Sequence, residues 1–173
     1  IWAKPNPMPE SVTDRPTKAH EQVFLLTKNA RYFYDADAVR EPQTNESQEA
    51  VTLRAGANAK YQESDHKANH LATQTWNPAG RNKRTIWNVA TSPFAGAHFA
   101  TFPPKLIEPM VLAGSKPGDT VLDPFSGSGT TGMVALRHDR SYIGLELNPE
   151  YAELSRNRIR DDAPLLNTHL EAA

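Results

Sequence analysis

The stretch that most constrains this chain is Asp123-Pro124-Phe125-Ser126-Gly127-Ser128-Gly129-Thr130-Thr131. Ahead of it, Thr120-Val121-Leu122 reads as a short buried strand, and behind it Gly132-Met133-Val134-Ala135-Leu136 reads as a helix. Strand, small-residue turn and helix make the shape of a loop that holds a nucleotide-type cofactor. Glycines in the turn let the backbone approach a ligand with no Cβ in the way. Further on, Tyr142-Ile143-Gly144-Leu145-Glu146 reads as a second strand ending in an acid. In such folds an acid roughly 20 residues past the loop accepts hydrogen bonds from ribose hydroxyls. Glu146 stands in that place.

Asp123 at the strand end suits a cofactor that carries a positive charge and an amino group better than one that carries a pyrophosphate. The plainer alternative is a glycine-rich turn that only joins strand to helix. The full block, D-P-F-x-G-S-G-T-T, followed by Glu146-Leu147-Asn148-Pro149-Glu150-Tyr151, resembles the S-adenosylmethionine site of the DNA amino-methyltransferases. The Asp-Pro-Phe ahead of the glycines makes it more specific than a bare glycine loop, which dehydrogenases also carry.

The resemblance implies an α/β fold: a Rossmann-like S-adenosylmethionine-dependent methyltransferase sheet, circularly permuted and incomplete at its N-terminus. It assigns Asp123, Pro124, Phe125, Gly127, Gly129, Thr130, Glu146 and Asn148 to the cofactor. His98 to Pro103 is similar to the family's additional cofactor motif, in which Phe99 would hold the methionine part. The opening is similar as well, and there the resemblance puts Lys4, Asp14, Arg15, His20 and Glu21 on the DNA or active-site face. For His20-Glu21, a polar strand entry is the other reading.

Residues 1–40 are expected to supply part of the catalytic-domain sheet. Gln22-Val23-Phe24-Leu25-Leu26 reads as a buried strand, and Asn29-Ala30 as a turn into Arg31-Tyr32-Phe33-Tyr34, so Glu21 to Tyr34 is predicted to form an antiparallel hairpin at the far side of the same sheet. Residues 41–97 are poor in apolar periodicity and rich in Asn, Gln, Thr, Ala and His. The part from Lys67 to Arg84 holds no acid. Its bases can neutralise phosphates, and Asn, Gln and Arg can read base edges. By itself this composition also fits a solvated insertion. The family's target-recognition segment falls in this interval, which selects Lys67, Arg81, Lys83 and Arg84 as nucleic-acid contacts.

Residues 98–162 are expected to form the cofactor-binding part. Leu106, Ile107, Met110 and Val111 have helical spacing, Pro109 is expected to kink or break that helix, and Gly114 closes it. Asn148-Pro149 opens a last helix with Ile159 on its apolar face and Arg156, Arg158 and Arg160 toward water. Residues 163–173 read as a tail.

Base methylation in this family uses a D/N/S-P-P-Y/F/W loop that accepts the amino hydrogens of a flipped base and stacks on its ring. Phe102-Pro103-Pro104-Lys105 and Asn148-Pro149-Glu150-Tyr151 each lack part of that pattern. No catalytic residue is therefore assigned, and the chain alone is expected to be inactive. In the permuted group this loop would precede Ile1, a first residue that is not methionine.

The chain has no cysteine, which removes disulfides and cysteine-type zinc sites, and no metal site is expected. Its formal charge is −1, so DNA affinity must come from local patches. No apolar run approaches the roughly 18 residues of a membrane span. The expected setting is a bacterial or phage-encoded cytoplasmic protein acting on double-stranded DNA, with a cognate restriction endonuclease as a possible partner. A non-catalytic DNA-binding or partner-completing module is the alternative. Adenine N6 and cytosine N4 both stay open as targets.

Overall fold

A computed structural model describes residues 1–42, 79–92 and 101–162. The chain divides into two compact units: Ile1–Ala38 with Arg84–Ala173, and Val39–Lys83.

The first unit carries two sheets. One is small: β1 (Trp2–Ala3) lies between β2 (His20–Glu21), antiparallel to it, and β3 (Trp87–Asn88), parallel to it. Residues far apart in sequence are tied there by backbone bonds from Trp87 N to Ile1 O at 2.8 Å and Val89 N to Ala3 O at 3.2 Å. The buried Trp2 indole donates to Val89 O at 2.6 Å, which satisfies its one polar atom.

The predicted hairpin does not form. β2 ends at Glu21, and residues 22–27 join no ladder among the described residues. Leu26 is 87% exposed and Phe24 is 73% exposed, so the run is not a buried strand. Residues 28–31 bend the chain, but residues 32–34 form no returning strand. Nor does this region share a sheet with the glycine loop; its pairing partner is β1 in the separate small sheet.

The second sheet positions the site. α1 (Pro104–Gly114) leads through a turn into β4 (Thr120–Asp123), then α2 (Thr130–Arg137), β5 (Ser141–Gly144) and α3 (Pro149–Asp162). Proline at its first position suits α1, because the N–H it lacks would have had no helical partner. Pro109 does not break the helix. It removes only the bond to the carbonyl of Lys105, an exposed residue of the first turn, where water can take over. The turn Lys116-Pro117-Gly118-Asp119 closes with Asp119 N on Lys116 O at 3.0 Å, and Gly118 supplies the positive φ, 87°, that its third position requires.

β4 and β5 pair in parallel, Thr120 opposite Ser141 through Asp123 opposite Gly144, with α2 as the crossover. This βαβ unit is the building block of a Rossmann-like α/β sheet. Val121 and Tyr142 lie side by side on one face. Leu122 and Ile143 lie on the other and stay more than half exposed, so the strand at Thr120 forms but is not buried as expected: only its Val121 face is covered. The core joins Leu106, Val111, Met133, Val134, Ala135 and Ile159, all buried. Each of these except Ala135 contributes about 1.5–3 kcal/mol when fully buried.

Two further contacts hold the helices together. The Arg137 guanidinium makes a two-point ion pair with the Asp162 carboxylate, linking the C-terminal ends of α2 and α3. Buried Arg140 donates to Ser115 Oγ at 3.2 Å, to Ser115 O at 2.7 Å and to His138 O, tying the end of α1 to the start of β5.

In the second unit, Glu41 and Arg81 exchange both backbone bonds at 2.9 Å. Arg40 donates to Gly80 O at 3.1 Å and to Asn82 Oδ1 at 2.9 Å.

Candidate cofactor site

β4 ends on Asp123, and the chain turns immediately. Asp123 Oδ1 accepts the Phe125 N–H at 3.0 Å, a side-chain turn that a short acid or amide makes best. The loop then crosses to the neighbouring strand. Leu145 N donates to Asp123 O at 2.9 Å and Ser126 N donates to Leu145 O at 2.9 Å, so pairing continues past the end of β5. This crossing brings Glu146 beside the loop, two residues beyond the last ladder residue, Gly144. Its carboxylate is held at both oxygens: Gly127 N–H donates to Oε2 at 2.8 Å, and Asn148 N–H donates to Oε1 at 2.9 Å. Each carboxylate oxygen has a second lone pair, so the group can be oriented by the backbone and still accept from a ligand.

Gly129 takes a left-handed backbone conformation, at φ 74°. A Cβ there would stand 2.3 Å from Ser155 Oγ, so α3 can close over the loop only at glycine. Gly129 N donates back to Ser126 O at 2.8 Å, and Met133 N to Gly129 O at 3.0 Å starts the ladder of α2. Gly132 solves a packing problem: a Cβ there would lie 2.5 Å from the Tyr142 ring. The three glycines fall at the G-x-G-x-x-G spacing of dinucleotide folds. Spacing therefore does not separate the two cofactor classes; the surrounding charge must.

Beneath the loop runs a chain of hydroxyls. Tyr142 Oη donates to Ser126 Oγ at 2.8 Å, and Ser126 Oγ lies 3.4 Å from Ser155 Oγ. Burial pushes the Tyr142 phenol above its ordinary range; the Ser126 hydrogen bond opposes this, and the nearby charges of Asp123 and Glu146 add to the rise. One phenol thus feels both carboxylates of the site. A hollow of about 440 Å³ adjoins Asp123, lined by Phe102, Ile107, Met110, Val111 and Thr131 among others.

Asp123, Gly127, Gly129, Thr130, Glu146 and Asn148, residues assigned to the cofactor, all lie at this turn or at Glu146 beside it. Asn148 also caps α3, its Oδ1 accepting the Glu150 N–H at 2.9 Å. Pro124 and Phe125 stand on the exposed side of the turn, Phe125 at 86%. Phe99 lies outside the described residues. Phe102, from the same segment, lines the hollow instead.

One expectation for α3 fails. Arg158 does not face water: it is partly buried, and its Nη1 reaches Ser128 O at 3.1 Å, Ser128 Oγ at 2.9 Å and Thr130 Oγ1 at 2.8 Å. Loss of water lowers its pKa from the usual arginine value, against the pull of Asp162. A helical wheel puts Arg158 beside the buried position Ser155, three residues earlier, and that spacing was the available signal.

The selected DNA contacts separate. Arg81 and Lys83 share the Glu41 carboxylate, with N···O distances of 3.3 and 3.6 Å. The Arg81 approach is close enough for charge attraction but not aligned as a hydrogen bond. Arg84 is exposed and contributes its carbonyl to the Trp87 indole at 2.6 Å. Lys67 lies outside the described residues. Toward the N-terminus, Lys4 pairs with Glu21 across β1 and β2 and lies 4.5 Å from the centre of the Trp2 ring, while Asp14, Arg15 and His20 are exposed. Among the described residues, no helix is long and apolar enough to cross a membrane and no cluster of acids and histidines could hold a metal.

The profile of the DNA methylase family, which covers the N6 and N4 enzymes, matches residues 1–157. The chain is 49% identical over 162 residues to the type II methyltransferase M.Cfr9I of Citrobacter freundii, covering 94% of this chain and 43% of that protein. It is 45% identical over 159 residues to the type II methyltransferase M.SmaI of Serratia marcescens, covering 92% and 44%. The chain thus spans less than half the length of these relatives. The crystal structure of an M1.HpyAVI–SAM complex is similar at 29% identity, with a TM-score of 0.42 over 49% of this chain and 42% of that one. The glycine loop with its paired acid, and a family match running nearly end to end, place this chain in the DNA methylase family of amino-methyltransferases.

Proposed function

We propose that this chain is the cofactor-binding and target-recognition portion of a DNA amino-methyltransferase, with S-adenosylmethionine as methyl donor and double-stranded DNA as substrate. The observation that carries the cofactor reading is the charge of the loop. Phe125 and Gly127 donate their N–H groups to the chain's own carboxylates, Asp123 and Glu146. A pyrophosphate cradle needs such N–H groups aimed outward and little negative charge nearby. Two carboxylates favour instead a ligand with a cationic centre, an amino group and a ribose diol.

Glu146 would take the ribose hydroxyls, Asp123 the cationic methionine end, and the hollow beside Phe102 the apolar stem. Gly127, Gly129 and Thr130 shape the loop, Pro124 and Phe125 form its outer wall, and Asn148 fixes Glu146 through its N–H. Phe99 keeps its sequence assignment against the methionine part. S-adenosylmethionine supplies a methyl group activated by its sulfonium. The receiving atom is an exocyclic nitrogen of adenine or cytosine, presented by a D/N/S-P-P-Y/F/W loop that these 173 residues do not contain. Lys67 and Arg84 are assigned to phosphate contact, joined by Arg81 and Lys83 if DNA displaces them from Glu41. The cytoplasm and a cognate restriction endonuclease complete the proposal.

Calorimetric titration of the chain with S-adenosylmethionine tests this reading. Charge-assisted hydrogen bonds are worth about 1.5–3 kcal/mol each, so Glu146→Ala is expected to weaken binding about tenfold or more. Unchanged affinity, or a preference for NAD, would overturn it. A duplex should accept labelled methyl only when the chain is joined to the missing loop. Transfer by the chain alone would place catalytic residues within it.

A further inference from the structure

Ser128 and Thr130, either side of Gly129, are 4% and 2% exposed, so their polar atoms depend on protein partners rather than water. One side chain from outside the loop serves both. Arg158 Nη1 sits within 3.1 Å of Ser128 O, 2.9 Å of Ser128 Oγ and 2.8 Å of Thr130 Oγ1. Ser155, one turn earlier on α3, lies against Gly129, with the Ser155 Cα only 3.2 Å from where a Cβ on Gly129 would stand. Helix α3 therefore holds the loop twice: Ser155 sets its height by contact and Arg158 sets its crest by hydrogen bonds. The N–H that orients Glu146 comes from Gly127, next to Ser128 in the same turn.

We infer that Arg158 is a positioning residue for the cofactor: it touches no reacting atom, but by fixing Ser128 and Thr130 it sets where Gly127 N–H holds the Glu146 carboxylate. This rests on the cofactor site proposed above. All three acceptors face the single nitrogen Nη1, whose two hydrogens they share, and the rigid guanidinium plane fixes the direction of those hydrogens, which the rotating ammonium on a flexible lysine stem does not. Loss of Arg158 should loosen the crest while the strands beneath it persist.

The test compares Arg158→Ala, Arg158→Lys and Ser128→Ala with the unsubstituted chain by two readouts. Amide hydrogen exchange, measured without cofactor, reports the loop directly. Calorimetric titration with S-adenosylmethionine reports its consequence. The expected result for Arg158→Ala is faster exchange at residues 127–131, unchanged protection at Val121 and Leu122, and cofactor affinity reduced about tenfold. Millimolar methylguanidinium should restore part of that affinity to Arg158→Ala. Arg158→Lys should recover less than half of the loss, and Ser128→Ala should show a smaller loss in the same residues. Should Arg158→Ala fail to fold, Ser128→Ala and Arg158→Lys carry the same two readouts. Unchanged loop exchange overturns the inference, as does a loosened loop with unchanged affinity. If the unsubstituted chain takes up no S-adenosylmethionine, the cofactor reading has failed and the positioning role falls with it; the exchange pattern still tells that failure apart from a missing Arg158 contact.

Discussion

Two apolar runs in this chain look alike and behave differently. Val121-Leu122 sits in β4, hydrogen-bonded to β5 and packed on one face by α2. Val23-Phe24-Leu25-Leu26 has the stronger apolar character, yet it joins no ladder among the described residues and its side chains are exposed. The difference is supply of partners. A strand needs neighbours for its N–H and C=O groups, and apolar side chains need a surface to bury against. β4 obtains its ladder from β5 and cover for its Val121 face from α2, while Leu122 on the other face stays more than half exposed. Among the described residues the run at Val23 has no strand partner, since β1 pairs with the residues just before it, His20 and Glu21. Pattern says that a segment could be a strand; the arrangement of the rest decides whether it is one.

An aspartate placed in α2, which packs on β4, and one placed in the exposed run give the largest contrast. Val134 is 1% exposed beneath the loop. Val134→Asp would bury an unpaired carboxylate and is expected to cost about 4 kcal/mol or more. Leu26→Asp, at a side chain that is almost wholly exposed, is expected to stay within about 0.5 kcal/mol. Urea denaturation of both variants checks this, and a Leu26→Asp loss of comparable size would show that the run is covered after all.

Packing under the loop is next. Gly132→Val would bring a side chain onto Tyr142 and Ile159, and overpacking of this kind costs about 1–3 kcal/mol. A thermal midpoint that does not fall would show that α2 can back away from β5. Arg140→Met keeps bulk but leaves the buried Ser115 carbonyl without its donor, at an expected cost of about 1–3 kcal/mol. Full retention of stability on chemical denaturation would mean that water replaces the guanidinium there.

The smallest effect is expected at the hydroxyl chain. Tyr142→Phe removes the donor to Ser126 and should cost about 1 kcal/mol at neutral pH. The phenol pKa is raised in the folded state, so the folded protein holds that proton more tightly than the unfolded chain does. The resulting stability is complete below the ordinary tyrosine pKa of about 10 and is lost as pH rises through the higher folded value. Stability measured between neutral and strongly alkaline pH should therefore fall more steeply for the unsubstituted chain than for Tyr142→Phe. Parallel curves would remove Tyr142 from the account.

Legibility in the sequence tracked the range of the interactions. The loop, the strands at Thr120 and Tyr142, the cap at Asn148 and the acid at Glu146 were readable because each depends on residues a few positions away or on a fixed βαβ spacing. The reach of Arg158 was not, although its place beside Ser155 hinted at it. A charged residue on a polar helix is solvated unless another element needs its donors, and that other element lies 28 and 30 residues earlier, at Thr130 and Ser128. Arg81 and Lys83 read as free bases because nothing local shows that Glu41, some forty positions before them, shares their charge.

By itself, then, the sequence determined the glycine loop, its flanking strands and helices, and the acids beside it, since backbone sterics and short-range hydrogen bonding suffice for these. The tertiary structure decided which apolar run became a strand, which arginine turned inward and which carboxylates received the loop's N–H groups. Those outcomes depend on partners brought together only when distant segments pack, where burial raises the cost of any polar group left unpaired.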